Sequence, residues 1–221
     1  MLRRNLIAGG VAAAGLGGWA LTRPSTNLPA DPLMAANAQA VDTTDMPAIK
    51  DMVLGDPDAT VEVIEYASYT CPHCAAFHAN VYPQLKADYI DTGKIRFVYR
   101  EVYFDRFGLW ASMIARCGGD MRFFGITELI YEKQREWTAS GDPATIVEEL
   151  RKLAKTAGLT DEMLDDCMND AENAQNLVGW YQANAERDNV RSTPTFRIGG
   201  MSYSNMNYDD FKNILDEELA G

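Results

Sequence analysis

The chain has 221 residues, of which 47% are apolar and 24% are charged, and its formal net charge is −12. This length suits one domain with a large insertion or two small domains that share a core, and the apolar content can build that core without a metal. The acidic balance argues against a nucleic-acid partner or an anionic membrane surface, because both require clustered Lys and Arg. We interpret the negative net charge as one that keeps the protein soluble.

Residues 1–40 predict an export signal. Arg3 and Arg4 precede an apolar, glycine-rich stretch over residues 6–21 that is short for a membrane span. Small residues at 36–40 fit signal cleavage. The paired arginines fit the twin-arginine route and also an ordinary secretory start, and the long gap before the cleavage sites leaves a retained anchor as a further alternative. We expect export to the periplasm, where disulfides form and persist.

Residues 41–52 are polar and irregular, and they predict a linker. Residues 60–66 are rich in β-branched side chains and partly alternating, which predicts a strand. Residues 72–90 carry apolar side chains at helical spacing and predict a helix, kinked at Pro83 because proline removes a backbone donor. Residues 95–99 predict a second strand, and the order strand–helix–strand makes it parallel to the first through a right-handed crossover.

From residue 107 to about 188 the apolar spacing is helical. Glycine-containing breaks divide this block into four or five helices. The breaks lie at 118–119, 141–143 and 158. Residues 195–203 then predict a β-hairpin, and residues 209–219 predict a closing amphipathic helix. The order β-α-β, helical block, β-β-α indicates an all-helical domain inserted into a small α/β domain.

The residues Cys71-Pro72-His73-Cys74 lie where the first strand ends and the helix begins. Pro72 suits the first helical position, where its missing N–H costs nothing, so Cys71 lies near the N-cap. Unpaired backbone N–H groups and the helix dipole favour the Cys71 thiolate there, and His73 would act in the same direction. Cys74 lies deeper along the helix, able to close a disulfide but harder to reach. Because a stabilised thiolate makes the disulfide a strong oxidant, the motif predicts a thiol–disulfide oxidoreductase.

Residues 65–74, EYASYTCPHC, resemble the active-site segment of the DsbA family of exported thiol–disulfide oxidoreductases, which belongs to the thioredoxin superfamily. Residues 191–196, RSTPTF, resemble the cis-proline loop of that family. With the helical block between them, the resemblance covers about residues 50–219. It implies that Cys71 attacks and Cys74 resolves. It also implies a membrane quinone-linked partner that reoxidises the pair.

The expected fold class is therefore α/β, a thioredoxin-like fold with an inserted all-helical domain. The first part of the thioredoxin-like domain is expected at residues 53–106, the inserted helical domain at 107–188, and the second part at 189–221.

Two further positions are expected to support the site. A cis peptide bond before Pro194 would place the Thr193 backbone beside the cysteine pair, free to bind an extended substrate. An ordinary trans proline is the alternative on base rates, and the resemblance favours cis. Glu65 lies six residues before Cys71, and a half-buried carboxylate there could take or relay the Cys74 proton. The alternative is that Glu65 faces solvent at the end of its strand.

Cys117 and Cys167 both fall in the helical block. In an exported protein two surplus cysteines are expected to pair, and the disulfide would stabilise the block by about 3–4 kcal/mol. Two separate buried thiols are the alternative. His78 is given no role and is expected on the surface of its helix.

A cysteine pair at this spacing can also be half of a zinc site, which needs two more ligands and usually a second close pair. Only His73, His78, Cys117 and Cys167 are available besides Cys71 and Cys74, and none of them repeats the spacing. We therefore expect no metal and no small-molecule cofactor, because the redox couple is the cysteine pair itself.

The predicted function is to introduce disulfide bonds into unfolded or newly exported cysteine-containing proteins by exchange at Cys71 and Cys74. The expected state is a monomer, and no nucleic acid is expected to bind. A periplasmic disulfide reductant or isomerase is one alternative. A metal-binding chaperone that uses the same cysteines is an alternative from another class.

Overall fold

The computed structural model describes residues 49–221. The predicted export signal, 1–40, and most of the predicted linker lie outside the described residues. None of the helices between residues 49 and 221 is both long and apolar enough to cross a membrane.

A five-stranded mixed sheet forms the centre of the fold, in the order β1-β3-β2-β4-β5. Its strands are β1 (Met52–Gly55), β2 (Val61–Ala67), β3 (Ile95–Glu101), β4 (Thr195–Ile198) and β5 (Met201–Ser204). Strands β2 and β3 are parallel, and the other neighbouring pairs are antiparallel. The two predicted strands, their parallel pairing and the hairpin of β4 and β5 are confirmed.

Strand β1 was not predicted, and the expected linker is wrong at its last residue, Met52, which pairs with Tyr99. The strand has four residues on the edge of the sheet, and only Met52 is fully buried. Such a short segment shows too little alternation of apolar and polar side chains to be recognised as a strand.

The segment predicted as one kinked helix contains three pieces. They are α1 (Pro72–Asn80), α2 (Tyr82–Leu85) and a π-helical turn, π1 (Lys86–Ile90). The break falls at Val81, just before the predicted kink, because Pro83 has no N–H to donate and its ring clashes with the preceding turn. The closing helix was predicted and is confirmed as α9 (Tyr208–Ala220).

The helical block contains six helices, so the expected number of four or five is wrong. They are α3 (Arg106–Cys117), α4 (Gly119–Glu132), α5 (Gln134–Trp137), α6 (Pro143–Thr156), α7 (Asp161–Met168) and α8 (Ala171–Arg187). The three predicted breaks are confirmed. The additional boundaries fall at Lys133 and at Asn169-Asp170, where no proline or glycine marks them.

One apolar core joins the sheet to the helical block. Phe77 of α1 packs on Phe196 of β4 with ring centroids 4.7 Å apart, and Phe196 packs on Phe211 of α9 at 4.9 Å. At the carboxyl end of β3, Arg116 of α3 donates two hydrogen bonds of 2.7 Å to the buried Glu101 carboxylate. Removing either partner would leave a buried charge unpaired, so this contact holds α3 against the sheet.

Candidate active site

Cys71 and Cys74 lie at the start of α1, directly beyond the carboxyl end of β2. Cys71 is the N-cap residue, with an extended backbone, and Pro72 occupies the first turn. Both cysteines are free thiols. The Cys71 residue retains 9% of its accessible surface and Cys74 retains none, so Cys71 is the one that another molecule can reach.

The start of α1 stabilises the Cys71 thiolate and lowers its pKa from 9.0 to about 5. The largest cause is a hydrogen bond from the Cys74 thiol, and the backbone N–H groups of Cys74 and His73 act in the same direction. Partial burial opposes them. The His73 side chain is exposed, and His73 contributes to the lowered pKa of Cys71 through its backbone N–H.

The pKa of Cys74 is raised far above its ordinary value. Burial is the largest cause, followed by the hydrogen bond to Cys71 and the negative charge of Glu65. Between the two pKa values the pair therefore holds one thiolate, on Cys71, and one thiol, on Cys74. This division makes Cys71 the nucleophile and the better leaving group.

The peptide bond between Thr193 and Pro194 is cis. The loop that contains it brings the Thr193 carbonyl oxygen to 3.4 Å from the Cys71 sulfur, although the two residues are 122 positions apart. The backbone before β4 therefore lies directly beside the reactive sulfur. An extended chain bound to this loop would carry its own cysteine close to Cys71.

Glu65 lies on β2 and is fully buried, so the alternative of a solvent-facing side chain is wrong. Both of its carboxylate oxygens lie close to Nε2 of His78, at 3.1 and 3.2 Å. The expected surface position of His78 is therefore also wrong. A signal was available, because His78 is four residues after Cys74 and so lies on the same inward face of α1.

Gln134 of α5 holds the active-site loop, and nothing in the sequence marked it. Its buried side-chain amide donates hydrogen bonds of 2.7 Å to the Tyr69 carbonyl and 2.9 Å to the Cys71 carbonyl. The Tyr69 hydroxyl also lies 2.8 Å from the Thr127 hydroxyl of α4. The helical block thus fixes the loop that carries the reactive cysteine.

The two remaining cysteines, Cys117 and Cys167, are joined in a disulfide that links α3 to α7. They are therefore not available as thiol ligands beside the active pair. Among residues 49–221, no group of three or more His, Cys, Asp or Glu side chains is arranged to hold a metal ion.

Residues 48–217 match the family model described as thioredoxin. Disulfide bond formation protein D of Bacillus subtilis is 30% identical over 186 residues, which cover 79% of this chain and 80% of that protein. The chain is a DsbA-like member of the thioredoxin superfamily. A relative from Rickettsia bellii, provisionally named a protein-disulfide oxidoreductase, is 32% identical over 170 residues. That match covers 76% of this chain but 64% of the relative, so the chain spans less than two thirds of its length.

Solved structures agree with this assignment of the DsbA-like fold. The crystal structure of Wolbachia pipientis alpha-DsbA1 superposes with a TM-score of 0.72 at 27% identity, over 79% of this chain and 94% of that one. Oxidised BdbD from Bacillus subtilis superposes with a TM-score of 0.69 at 27% identity, over 80% and 97% of the two chains. The expected thioredoxin-like fold with a helical insertion is confirmed.

Proposed function

We propose that this DsbA-like protein is a dithiol oxidase that introduces disulfide bonds into newly exported, cysteine-containing proteins. The proposal rests on the difference between the two pKa values: that of Cys71 is lowered to about 5, and that of Cys74 is raised. Stabilising the Cys71 thiolate stabilises the reduced form, and a disulfide whose reduced form is stabilised is a strong oxidant.

The reaction begins with the oxidised Cys71–Cys74 pair. A substrate thiolate attacks the Cys71 sulfur, the bond between the two protein sulfurs breaks, and Cys74 leaves and takes up a proton. A second substrate thiolate then attacks the substrate sulfur of the mixed disulfide, and Cys71 leaves as a thiolate. Two substrate thiols are oxidised to one disulfide, and the protein pair gains two electrons.

The position of the Thr193 carbonyl supports substrate binding along the cis-proline loop. An extended segment can pair with free backbone groups of that loop without any demand on its side chains. Such recognition suits a protein that acts on many unfolded clients, because it reads only the backbone and the cysteine. The oxidised pair would be regenerated by a membrane quinone-linked partner, and the protein would work as an exported monomer in the periplasm without a cofactor.

The test is the reduction potential of the pair, measured by equilibration with glutathione, together with oxidation of a reduced, unfolded protein. We expect a potential well above the value of about −270 mV that is typical of thioredoxin, and stoichiometric oxidation of the substrate. Incubated with a disulfide-bonded peptide, a Cys74→Ser variant should accumulate the mixed disulfide, because the Cys71 thiolate displaces one peptide sulfur and no Cys74 thiol resolves the bond. A Cys71→Ser variant should form none.

A potential at or below about −270 mV would contradict the proposal and make the protein a reductant. Repair of scrambled disulfides without net oxidation would make it an isomerase. Stoichiometric zinc or copper after purification without chelator would favour the metal-binding chaperone.

A further inference from the structure

Glu65 and His78 form a buried pair behind the active cysteines. The Glu65 side chain has no accessible surface and the His78 side chain retains 4%. His78 approaches both carboxylate oxygens through Nε2, at 3.1 and 3.2 Å. The negative charge of Glu65 raises the pKa of Cys74, which is also fully buried. A proton that reaches or leaves the Cys74 sulfur therefore has to cross a region from which solvent is excluded.

A cleft of about 820 Å³ lies on the other side of His78, between α1 and the helices α4 and α5. His78 lines this cleft, and neither Glu65 nor Cys74 does. Because Nε2 faces Glu65, Nδ1 is the ring nitrogen left for the cleft. Nδ1 is buried and has no hydrogen-bond partner, and the same holds for the hydroxyl of Tyr82, which also lines the cleft. A buried polar atom without a partner calls for an explanation. Both atoms have almost no accessible surface, so a water from the cleft would bond to them when the neighbouring side chains shift.

We propose that His78 carries protons between Glu65 and the water of the cleft whenever the Cys71–Cys74 pair changes its redox state. The inference rests on the proposed exchange chemistry at the cysteine pair, but it holds for either direction of that exchange. His78 acts through Glu65 and does not touch the reacting sulfurs, so it is a positioning residue and not a catalytic one.

The protons balance in both halves of the cycle. When a substrate thiolate opens the disulfide, Cys74 leaves as a thiolate and takes up a proton that the Glu65 carboxylate passes on from Nε2 of His78. Nδ1 gains a proton from the cleft, and Glu65 is a carboxylate again. Reoxidation returns the proton from Cys74 to Glu65 and then to Nε2, and Nδ1 releases one to the cleft. A complete cycle restores the starting tautomer of the imidazole.

The aromatic rings that pack on His78 are uncharged, and its charged contact is Glu65. The Tyr131 ring of α4 stacks on the imidazole with centroids 4.3 Å apart, and the Tyr82 ring lies at 4.7 Å. Burial raises the pKa of both hydroxyls, and of the Tyr99 hydroxyl on β3, so all three stay neutral while the thiols exchange. The remaining charged residues that line the cleft are Lys86, Glu128, Glu132, Arg135 and Glu136.

The test compares His78→Gln with the matched control Glu132→Gln, which neutralises a residue that lines the same cleft. The rates to measure are those of disulfide reduction by a cysteine peptide and of reoxidation by oxidised glutathione, each in water and in deuterium oxide. In His78→Gln we expect both rates to fall by about tenfold and the solvent isotope effect to rise, because glutamine can bond to Glu65 but cannot carry a proton. The equilibrium constant with glutathione should stay within about twofold of the wild-type value, since a relay changes rates in both directions equally.

Rescue separates proton transfer from packing. In His78→Ala, added imidazole should restore most of the lost rate, while pyrazole, which has the same size but is a much weaker base, should not. Equal rescue by the two compounds would overturn the proposal, and so would His78→Gln rates within twofold of the wild type. A fall in one direction alone would also overturn it.

A second variant keeps the test decisive if the His78 variants do not fold. Ala79 is exposed and lines the cleft, so Ala79→Phe places a large side chain there and leaves the Glu65–His78 pair intact. Slower exchange in both directions would support the relay, and unchanged rates would overturn it. If the wild-type protein instead exchanges disulfides with a low reduction potential, the oxidase proposal fails and the relay does not.

Discussion

The reduction potential of the Cys71–Cys74 pair should depend on pH with a slope that changes near pH 5. Below the pKa of Cys71, reduction of the disulfide takes up two protons, one on each sulfur. Above about 5, Cys71 stays ionised and only Cys74, whose pKa is raised, takes up a proton. For a two-electron couple a tenfold change in the equilibrium constant is about 30 mV, so the slope should change from about −59 to about −30 mV per pH unit.

The same pKa determines how the stability of the reduced protein depends on pH. Because the folded-state pKa of Cys71 lies below its ordinary value of 9.0, ionisation stabilises the folded, reduced form. This stabilisation is complete above the ordinary pKa and is lost as the pH falls through about 5. In the window between them, the reduced protein should gain stability relative to the oxidised protein as the pH rises, because the disulfide has no thiol to ionise.

The assay is equilibration with glutathione across this pH window, followed by acid quenching and mass spectrometry of the two redox forms. The ultraviolet absorbance of the thiolate should report the same ionisation independently. A Cys74→Ser variant should have a changed Cys71 pKa, because the hydrogen bond from the Cys74 thiol is the largest cause of the lowered value. A slope of about −59 mV per pH unit that continues to pH 8 would refute the reasoning.

Three further changes have expected outcomes. Replacing both cysteines of the Cys117–Cys167 disulfide with alanine should lower the free energy of unfolding by up to about 4 kcal/mol, because the bond closes a loop across 50 positions. The measurement is unfolding with urea, and an unchanged urea midpoint would contradict this prediction. Glu65→Gln should lower the pKa of Cys74, because the negative charge of Glu65 raises that pKa. Faster alkylation of the Cys74 thiol at alkaline pH would show the change, and an identical alkylation profile would show that Glu65 does not affect the Cys74 pKa. Gln134→Met should destabilise the protein by about 1–3 kcal/mol, because the Tyr69 carbonyl loses its donor and the Cys71 carbonyl is left with the Ala75 N–H. Urea unfolding with no loss of stability would show that another donor replaces Gln134.

The sequence predicts those parts of the site that depend on local structure. Pro72 marks the first turn of α1, so the place of Cys71 at the helix start follows from adjacent residues alone. The cis peptide before Pro194 was expected from the resemblance, since base rates alone favour trans. Strand β1 was missed because four edge residues carry almost no periodicity.

Contacts between distant segments could not be predicted in this way. Gln134 bonds to a carbonyl 63 positions away, and a glutamine in a helical block has no pattern that indicates such a partner. The Glu65–His78 pair joins a strand to a helix whose inward face is set by tertiary packing. The spacing from Cys74 to His78 points to that face only once Cys74 is known to be buried.

The asymmetry of the cysteine pair and the need for a buried proton carrier have the same origin. The hydrogen bond from the Cys74 thiol lowers the pKa of Cys71, and the same bond raises that of Cys74. The Cys71 thiolate is therefore stabilised only while Cys74 keeps its proton. Each reduction must bring one proton to a sulfur with no accessible surface, and each reoxidation must remove it. A carboxylate buried behind the pair meets this demand only if it can exchange protons with solvent in turn. Fully buried Glu65 does not line the cleft, whereas His78 contacts Glu65 and lines the cleft.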